Sequence, residues 1–261
     1  MEIIETEQVT GNQSRSPIDL NMSKMTVVNL KSLDWHNYEI VPKKLKITNT
    51  GRNVVVCGNW QKTPHLSSGP LRSDYTFSQI HFHWGPTEMM GSEHLVDGAS
   101  QPMELHAVHF KSDYLSQEAA MRETDGITML VYFFKLQSVP NLALNGIVNS
   151  LSSIQPPDSS IRIPVEPISN ILRPFEDDYF LYKGTVPVGK YETPVMWLFS
   201  REPIAISLEQ VAQFRNLNDR NFNRILNNLR PLACVNPPVF YANPKGSNYA
   251  SLLPVSPDSI P

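Results

Sequence analysis

The prolines of this chain limit its possible folds more than any other residue type. The 261 residues include 22 prolines against 12 glycines, and the apolar runs between them are short. Proline interrupts a helix interior and is confined to the ends and edges of strands, so many short strands are favoured over long helices. With 41% hydrophobic residues, the chain can bury one large core. We therefore predict a single α+β domain dominated by a sheet.

Short apolar runs bounded by turn residues mark the candidate strands. The predicted strands are residues 45–47, 54–57, 77–84, 104–110, 128–134, 179–182 and 195–199. Residues 116–121 and 207–214 each begin with a polar cap and are predicted helices. We assign residues 11–241 to one domain, residues 1–10 to a short extension, and the Pro- and Ser-rich residues 242–261 to a loose tail.

Charge and hydropathy exclude several classes of partner. The formal net charge is −3, so no basic face is available for nucleic acid. The longest apolar stretch, residues 127–136, is about half as long as a membrane span. Residues 1–7 are acidic and lack the layout of a secretory signal, which predicts a cytoplasmic protein. Cys57 and Cys234 are too few for a disulfide scaffold, and we expect two free thiols.

The histidines cluster in one region of the chain with an informative spacing. Alternate residues of a strand share a face, so Gln79, His81 and His83 point the same way. The same rule places Glu104 and His106 together on a second strand. Three neutral imidazoles on adjoining strands form a facial site that suits zinc and leaves a fourth position open, as in catalytic zinc centres.

A ligating imidazole also needs its second nitrogen fixed by a neighbour. Gln79 and Glu104 each precede a histidine by one strand step on the same face, where they can provide that contact. The alternative is that alternating histidines merely decorate a polar sheet face. That alternative is sufficient for a His-x-His pattern alone. The three histidines together with Gln79 and Glu104 favour a metal site.

Three strings in this region resemble a known family. They are QIHFHWG at residues 79–85, GSEH at 91–94 and ELHAVH at 104–109, and they occur in that order. They are similar to the signature of the α-type carbonic anhydrases, in which zinc-bound hydroxide converts carbon dioxide to bicarbonate reversibly. Shorter matches extend the resemblance over about residues 11–241. It implies a large twisted, mostly antiparallel central sheet with short peripheral helices and zinc at the bottom of a cone.

The resemblance also implies a role for each residue of the site. The zinc ligands would be His81, His83 and His106. Gln79 and Glu104 would orient two of these ligands, and the carbonyl group of Asn228 would orient the third. Glu93 matches a glutamate of the catalytic hydrogen-bond network, while His94 matches a structural position. The apolar wall of the carbon dioxide pocket would comprise Val108, Met129, Val186, Val195 and Trp197.

The loop that should orient the nucleophile departs from the family pattern. The family has a threonine that accepts the hydroxide proton and donates to the glutamate, and the residue at this position is Pro187. Proline has neither a hydroxyl nor a backbone N–H group. The threonine that normally follows is replaced by Val188. Thr185 could fill the role if the loop is shifted by two residues.

Two further departures concern proton export and the substrate wall. The fast members of the family export protons through a histidine after an Asn-x-Gly turn, and Arg52 occupies that position. Arginine stays protonated and cannot relay a proton. His65 could substitute if its loop folds over the mouth of the cone. Met129 replaces a usual valine, so it either narrows the substrate pocket or simply fills the core.

These features predict a zinc protein that hydrates carbon dioxide at a reduced rate. The alternative is a catalytically silent member of the family whose fold binds another protein or a polyanion. A weaker third possibility is hydrolysis of small activated esters. The family's N-terminal aromatic segment has no counterpart before Gly11. A truncated N-terminus would explain this difference, and the protein would then be secreted.

Overall fold

The computed structural model describes residues 14–188 and 191–242 of the chain. Within these residues the predicted sheet-dominated architecture is confirmed, with one large sheet and a few short helices. The predicted extension, residues 1–10, lies outside the described residues. The predicted tail lies outside them as well, except for its first residue.

Most of the strands join one sheet of 14 strands, and two others form a small separate ribbon. The strands of the large sheet are β1 (Ser14–Arg15), β3 (Thr26–Val28), β4 (Leu33–His36), β5 (Lys44–Asn49), β6 (Val54–Asn59), β7 (His65–Ser68), β8 (Tyr75–His83), β10 (Glu104–Lys111), β11 (Ile127–Leu136), β12 (Ser159–Ile163), β13 (Tyr179–Val188), β14 (Tyr191–Ser200), β15 (Ile204–Ile206) and β16 (Phe240–Ala242). The ribbon pairs β2 (Asp19–Leu20) with β9 (Leu95–Val96).

The helices are short and lie at the periphery. The α-helices are α1 (Gln117–Ala120), α2 (Asn145–Val148) and α3 (Leu208–Phe214). In the described part of the chain, five 3₁₀ helices cover Met22–Lys24, Ser112–Tyr114, Leu142–Leu144, Leu151–Ile154 and Ile168–Asn170. The predicted N-terminal caps are both formed, because Ser116 and Ser207 accept hydrogen bonds from backbone N–H groups of the first turn. Among the described helices, none is long and apolar enough to cross a membrane.

The order of the strands places the histidine-bearing pair in the middle of the sheet. The central path runs β12, β5, β6, β8, β10, β11, β14, β13, β16 and β3. β8, β10 and β11 pair in antiparallel fashion, whereas β11 and β14 pair in parallel. Because β8 and β10 have neighbours on both sides, their backbones are hydrogen-bonded along both edges.

The two faces of the sheet bury different residues. Leu105 and Ala107 of β10 point into the larger hydrophobic core. The alternate residue Val108 points to the opposite face, where it joins a second cluster with Val131 and Trp197. Strand alternation thus separates a packed core from the face that carries His106.

Two predicted strands extend well beyond their predicted bounds. Residues 179–182 and 195–199 are parts of the paired strands β13 and β14, which continue to Val188 and Tyr191. Pro187 lies in this extension, opposite Glu192. Prolines obscured the extension in the sequence, but a proline is tolerated near a strand end, where fewer ladder hydrogen bonds are needed.

Candidate active site

Three imidazoles converge on the face of β8 and β10 that Val108 shares. His106 lies directly opposite His81 in the antiparallel pair, and His83 follows two residues along β8. One ring nitrogen from each histidine lies within 4.8 Å of the other two. The His106 Nδ1 atom is 3.3 Å from the His81 Nε2 atom. The structure therefore brings together the three residues that the sequence predicted as ligands.

The carboxylate of Glu104 contacts the His106 ring nitrogen that does not face His81. Its Oε1 atom lies 2.5 Å from the His106 Nε2 atom and 2.7 Å from the His94 Nδ1 atom. Its Oε2 atom accepts a hydrogen bond from the backbone N–H of His94. Burial raises the pKa of Glu104, but His94 and His106 outweigh that effect and hold the pKa well below its usual range. With Nε2 of His106 bonded to the carboxylate, Nδ1 faces the other two imidazoles.

The expected hydrogen bond from His83 to the Asn228 carbonyl is not formed. Both ring nitrogens of His83 are buried and lack a hydrogen-bond partner among the described residues. Asn228 uses its side chain instead: Oδ1 accepts from the backbone N–H of Trp84, and Nδ2 donates to the carbonyl of Phe82. The amide of Asn228 therefore fixes the backbone on either side of His83.

Gln79 also does not make its expected contact. Within the described part of the chain, no hydrogen bond joins it to His81. Gln79 lies opposite Val108, where the pairing of β8 and β10 changes register before His109. Its side chain is only partly buried, so water can satisfy the amide. Of the three predicted orienting contacts, the one from Glu104 is present.

A cavity of about 220 Å³ opens above the three histidines. The residues that line it are Arg52, Asn53, His81, His83, Glu93, His106, Met129, Val186, Pro187, Asn228 and Arg230. Of the residues predicted for the substrate wall, Met129 and Val186 line this cavity. Val108, Val195 and Trp197 are buried behind this lining, in the second hydrophobic cluster.

Glu93 forms an ion pair with Arg230, a residue for which the sequence predicted no role. Its Oε1 atom accepts from the backbone N–H and from Nε of Arg230, both at 2.9 Å, and its Oε2 atom accepts from Nη2 at 2.5 Å. Arg230 lies two residues after Asn228. A buried glutamate needs a cationic or hydrogen-bonding partner, and this requirement could have predicted a residue such as Arg230 next to Glu93.

The pKa of Glu93 reflects this pairing. Burial raises it, whereas His83 and Arg230 together lower it to about 2. Glu93 is therefore a carboxylate at neutral pH, and its contribution to stability is fully present above the ordinary pKa of a glutamate, about 4.3. That contribution is lost as the pH falls from there through about 2.

We expect Glu93→Gln to lower the free energy of unfolding at pH 7 by about 3 kcal/mol, because it leaves Arg230 without its charge partner. The difference from the unsubstituted protein should shrink as the pH falls toward 2, since protonation of Glu93 then breaks, in the unsubstituted protein, the pair that the variant already lacks. Urea unfolding in the presence of a chelator measures this. Asp158→Asn is the matched control, because it breaks the exposed ion pair with Arg220 and should change little. A constant difference across the pH range would contradict this account.

The hydroxyl of Thr185 lies away from Glu93. It donates to the Glu192 Oε2 atom at 3.0 Å, and Thr185 does not line the cavity. Pro187 does line it, next to Val186. The exposed Val188 follows at the end of β13. Among the described residues, Glu93 receives no hydrogen bond from a hydroxyl group.

Arg52 lies at the cavity, whereas His65 does not. Arg52 is exposed and contributes to the cavity lining. His65 begins β7, which pairs with β8 at Tyr75 and Thr76, near the end of β8 opposite to His81. The condition under which His65 could replace the family's histidine is therefore not met, because strand pairing holds His65 away from the cavity.

Burial keeps His81 and His83 in the neutral form that a metal requires. It lowers the pKa of His81 well below the ordinary value, and it lowers the pKa of His83 to about 4, partly offset by Glu93. Neutral imidazoles offer lone pairs to a divalent ion. The Nε2 atom of His83 fits a metal ligand especially well, because it is buried without a hydrogen-bond partner among the described residues and coordination would satisfy it.

Comparison with known proteins agrees with this geometry. The sequence profile of the eukaryotic-type carbonic anhydrases matches residues 4–243. The chain belongs to the carbonic anhydrase family. It is 34% identical over 209 residues to carbonic anhydrase 1 of Oryctolagus cuniculus, covering 79% of this chain and 87% of the relative. It is 30% identical over 238 residues to carbonic anhydrase 6 of Mus musculus, covering 89% and 74%.

Proposed function

We propose that this member of the family binds one zinc ion and hydrates carbon dioxide reversibly, at a reduced rate. The observation that carries the proposal is the convergence of three imidazoles at the bottom of an open cavity. His81 and His83 would ligate through Nε2 and His106 through Nδ1, since Glu104 occupies the other nitrogen of His106. Bound there, zinc would supply a Lewis acid that lowers the pKa of water to about 7.

The protein's own residues support this reaction in part. Met129 and Val186 present apolar surface to the cavity, which suits an uncharged substrate such as carbon dioxide. Glu104 keeps His106 in one tautomer and orientation. The ion pair between Glu93 and Arg230 stands beside His83, with the Glu93 Oε1 atom 3.3 Å from the His83 Nδ1 atom. These contacts support the proposed metal binding.

The group that should orient the nucleophile is missing from the site. Pro187 lines the cavity but can neither accept through a hydroxyl nor donate through an N–H group. Losing one preorganised hydrogen-bonding group at a catalytic centre costs on the order of a hundred- to a thousand-fold in rate. A reduced rate follows from this loss.

The direct test is a stopped-flow assay of carbon dioxide hydration by the zinc-loaded protein. We expect activity above the uncatalysed rate that disappears when a sulfonamide is added, because sulfonamides bind the zinc of this family. The metal-free protein is the control and should be inactive. Zinc binding without any sulfonamide-sensitive hydration would refute catalysis while leaving the metal site intact.

A silent binding module is the second candidate, and Pro187 is the observation that favours it. If catalysis is not selected, the loop can change freely while the fold and its histidines persist. This candidate predicts that hydration stays at the uncatalysed rate and that the protein has a macromolecular partner. The hydration assay separates the two functions.

We expect Arg52→His to change the hydration rate less than two-fold. Faster proton export helps only where proton export limits turnover, and the loss at Pro187 makes the chemical step limiting. The rate should be compared at low and high buffer concentration, with Arg52→Ala as the control. A large rise in rate that depends on buffer would place the limiting step at proton export instead.

A further inference from the structure

Two histidines outside the cavity form a close pair on the surface. His36 of β4 lies directly opposite His65 of β7 in the antiparallel register. Their ring centroids are 4.4 Å apart, and the ring planes differ by 13°. His36 is exposed and His65 is half-buried. The pair is therefore accessible from solvent and is held by the backbone of two strands.

Both rings keep a nitrogen that no described residue engages. The His36 Nε2 atom is 3.1 Å from the Ser67 Oγ atom, and the His65 Nδ1 atom is 3.5 Å from the Thr63 carbonyl oxygen. In the tautomers in which these nitrogens carry the protons, Nδ1 of His36 and Nε2 of His65 offer lone pairs. Donor contacts of this kind hold ligating imidazoles in place at metal sites.

We propose that His36 and His65 form a surface site for a divalent transition-metal ion such as Cu²⁺, Ni²⁺ or Zn²⁺. Imidazole nitrogens suit these ions, and Cu²⁺ binds most strongly of the three. Directly opposite residues of an antiparallel pair have Cβ atoms about 5 Å apart, so small rotations of the two rings allow both to reach one ion. Water would complete the coordination, which distinguishes this site from the enclosed cluster in the cavity.

The bound ion would connect two strands at the margin of the sheet. β4 pairs with β7, and β7 pairs in turn with β8. An ion that binds the folded protein and not the unfolded chain stabilises the fold in proportion to its concentration and affinity. This site is independent of the proposed carbon dioxide hydration.

Retention of the untagged protein on a resin that carries immobilised Cu²⁺ tests the proposal. All seven histidines lie in the described part of the chain, and five of them are either buried or at the base of the cavity. A metal fixed to a resin cannot reach those five. We expect His36→Thr and His65→Thr each to lower the retention constant roughly a hundred-fold, because the second ligand acts at high effective concentration.

The double variant should be retained little less than either single variant, since each substitution already destroys the shared site. Threonine suits a strand, and thermal unfolding in a chelator verifies that the variants are folded. Lys31→Ala, a surface change just before β4, should be retained like the unsubstituted protein. Equal retention of the unsubstituted protein and the double variant would overturn the proposal. The proposal would also be overturned if the loss of retention in the double variant equalled the sum of the losses in the two single variants, because the two histidines would then bind metal separately.

Discussion

His106→Ala is expected to remove the zinc from the purified protein, lowering the content from about one ion per chain to near zero. Zinc sites in proteins bind with about 10–16 kcal/mol, so one of three protein ligands contributes several kcal/mol and its loss lowers the affinity several hundred-fold or more. The zinc content is measured by atomic emission after dialysis against a chelator, which removes weakly held surface ions. Carbon dioxide hydration should disappear together with the metal.

This substitution also removes the partner of a buried carboxylate, so a second variant is needed. His106 bonds to Glu104, which is fully buried, and its loss can destabilise the fold. His81→Ala avoids this, because His81 has no bond to a carboxylate among the contacts described. It should lose zinc in the same way. Arg52→Ala is the control that lines the cavity without offering a ligand, and it should keep its zinc. Stoichiometric zinc in both histidine variants would disprove the ligand assignment.

Pro187→Thr is expected to raise the rate of carbon dioxide hydration on the order of a hundred-fold, more than any other single substitution in the site. The new hydroxyl can donate to Glu93 and orient the attacking oxygen, while the new N–H group can hold the product oxygen. Glu93 has capacity for this bond, because its two oxygens offer about four lone-pair sites and Arg230 supplies three donor groups, the backbone N–H, Nη2 and an Nε that both oxygens share.

Three variants distinguish this mechanism from a simple relaxation of the loop. Pro187→Ala restores the N–H group without the hydroxyl and should give only part of the gain. Pro187→Thr combined with Glu93→Gln should give little, because the two groups act as a unit. Thr185→Val in the unsubstituted protein should leave the rate unchanged, since the Thr185 hydroxyl bonds to Glu192. A rate unaltered by Pro187→Thr, with zinc content and folding intact, would favour the silent binding module.

The histidine cluster could be predicted from the sequence because it depends on local geometry. Strand alternation alone puts His81 and His83 on one face and aligns Glu104 with His106. The serine caps of α1 and α3 are likewise local, since each bonds to a backbone group within the next three residues. Such features follow from residue type and spacing over a few positions.

Other features depend on residues that are distant in sequence, and the tertiary structure alone determined them. Asn228 reaches the backbone beside His83 through its side chain, and Arg230 pairs with Glu93. His36 and His65 lie opposite each other only because of the register in which β4 pairs with β7. Each of these contacts exists because the packing of the whole sheet brings two segments together. The free energy that selects such a register is spread over the buried core, so a local sequence pattern does not reveal it.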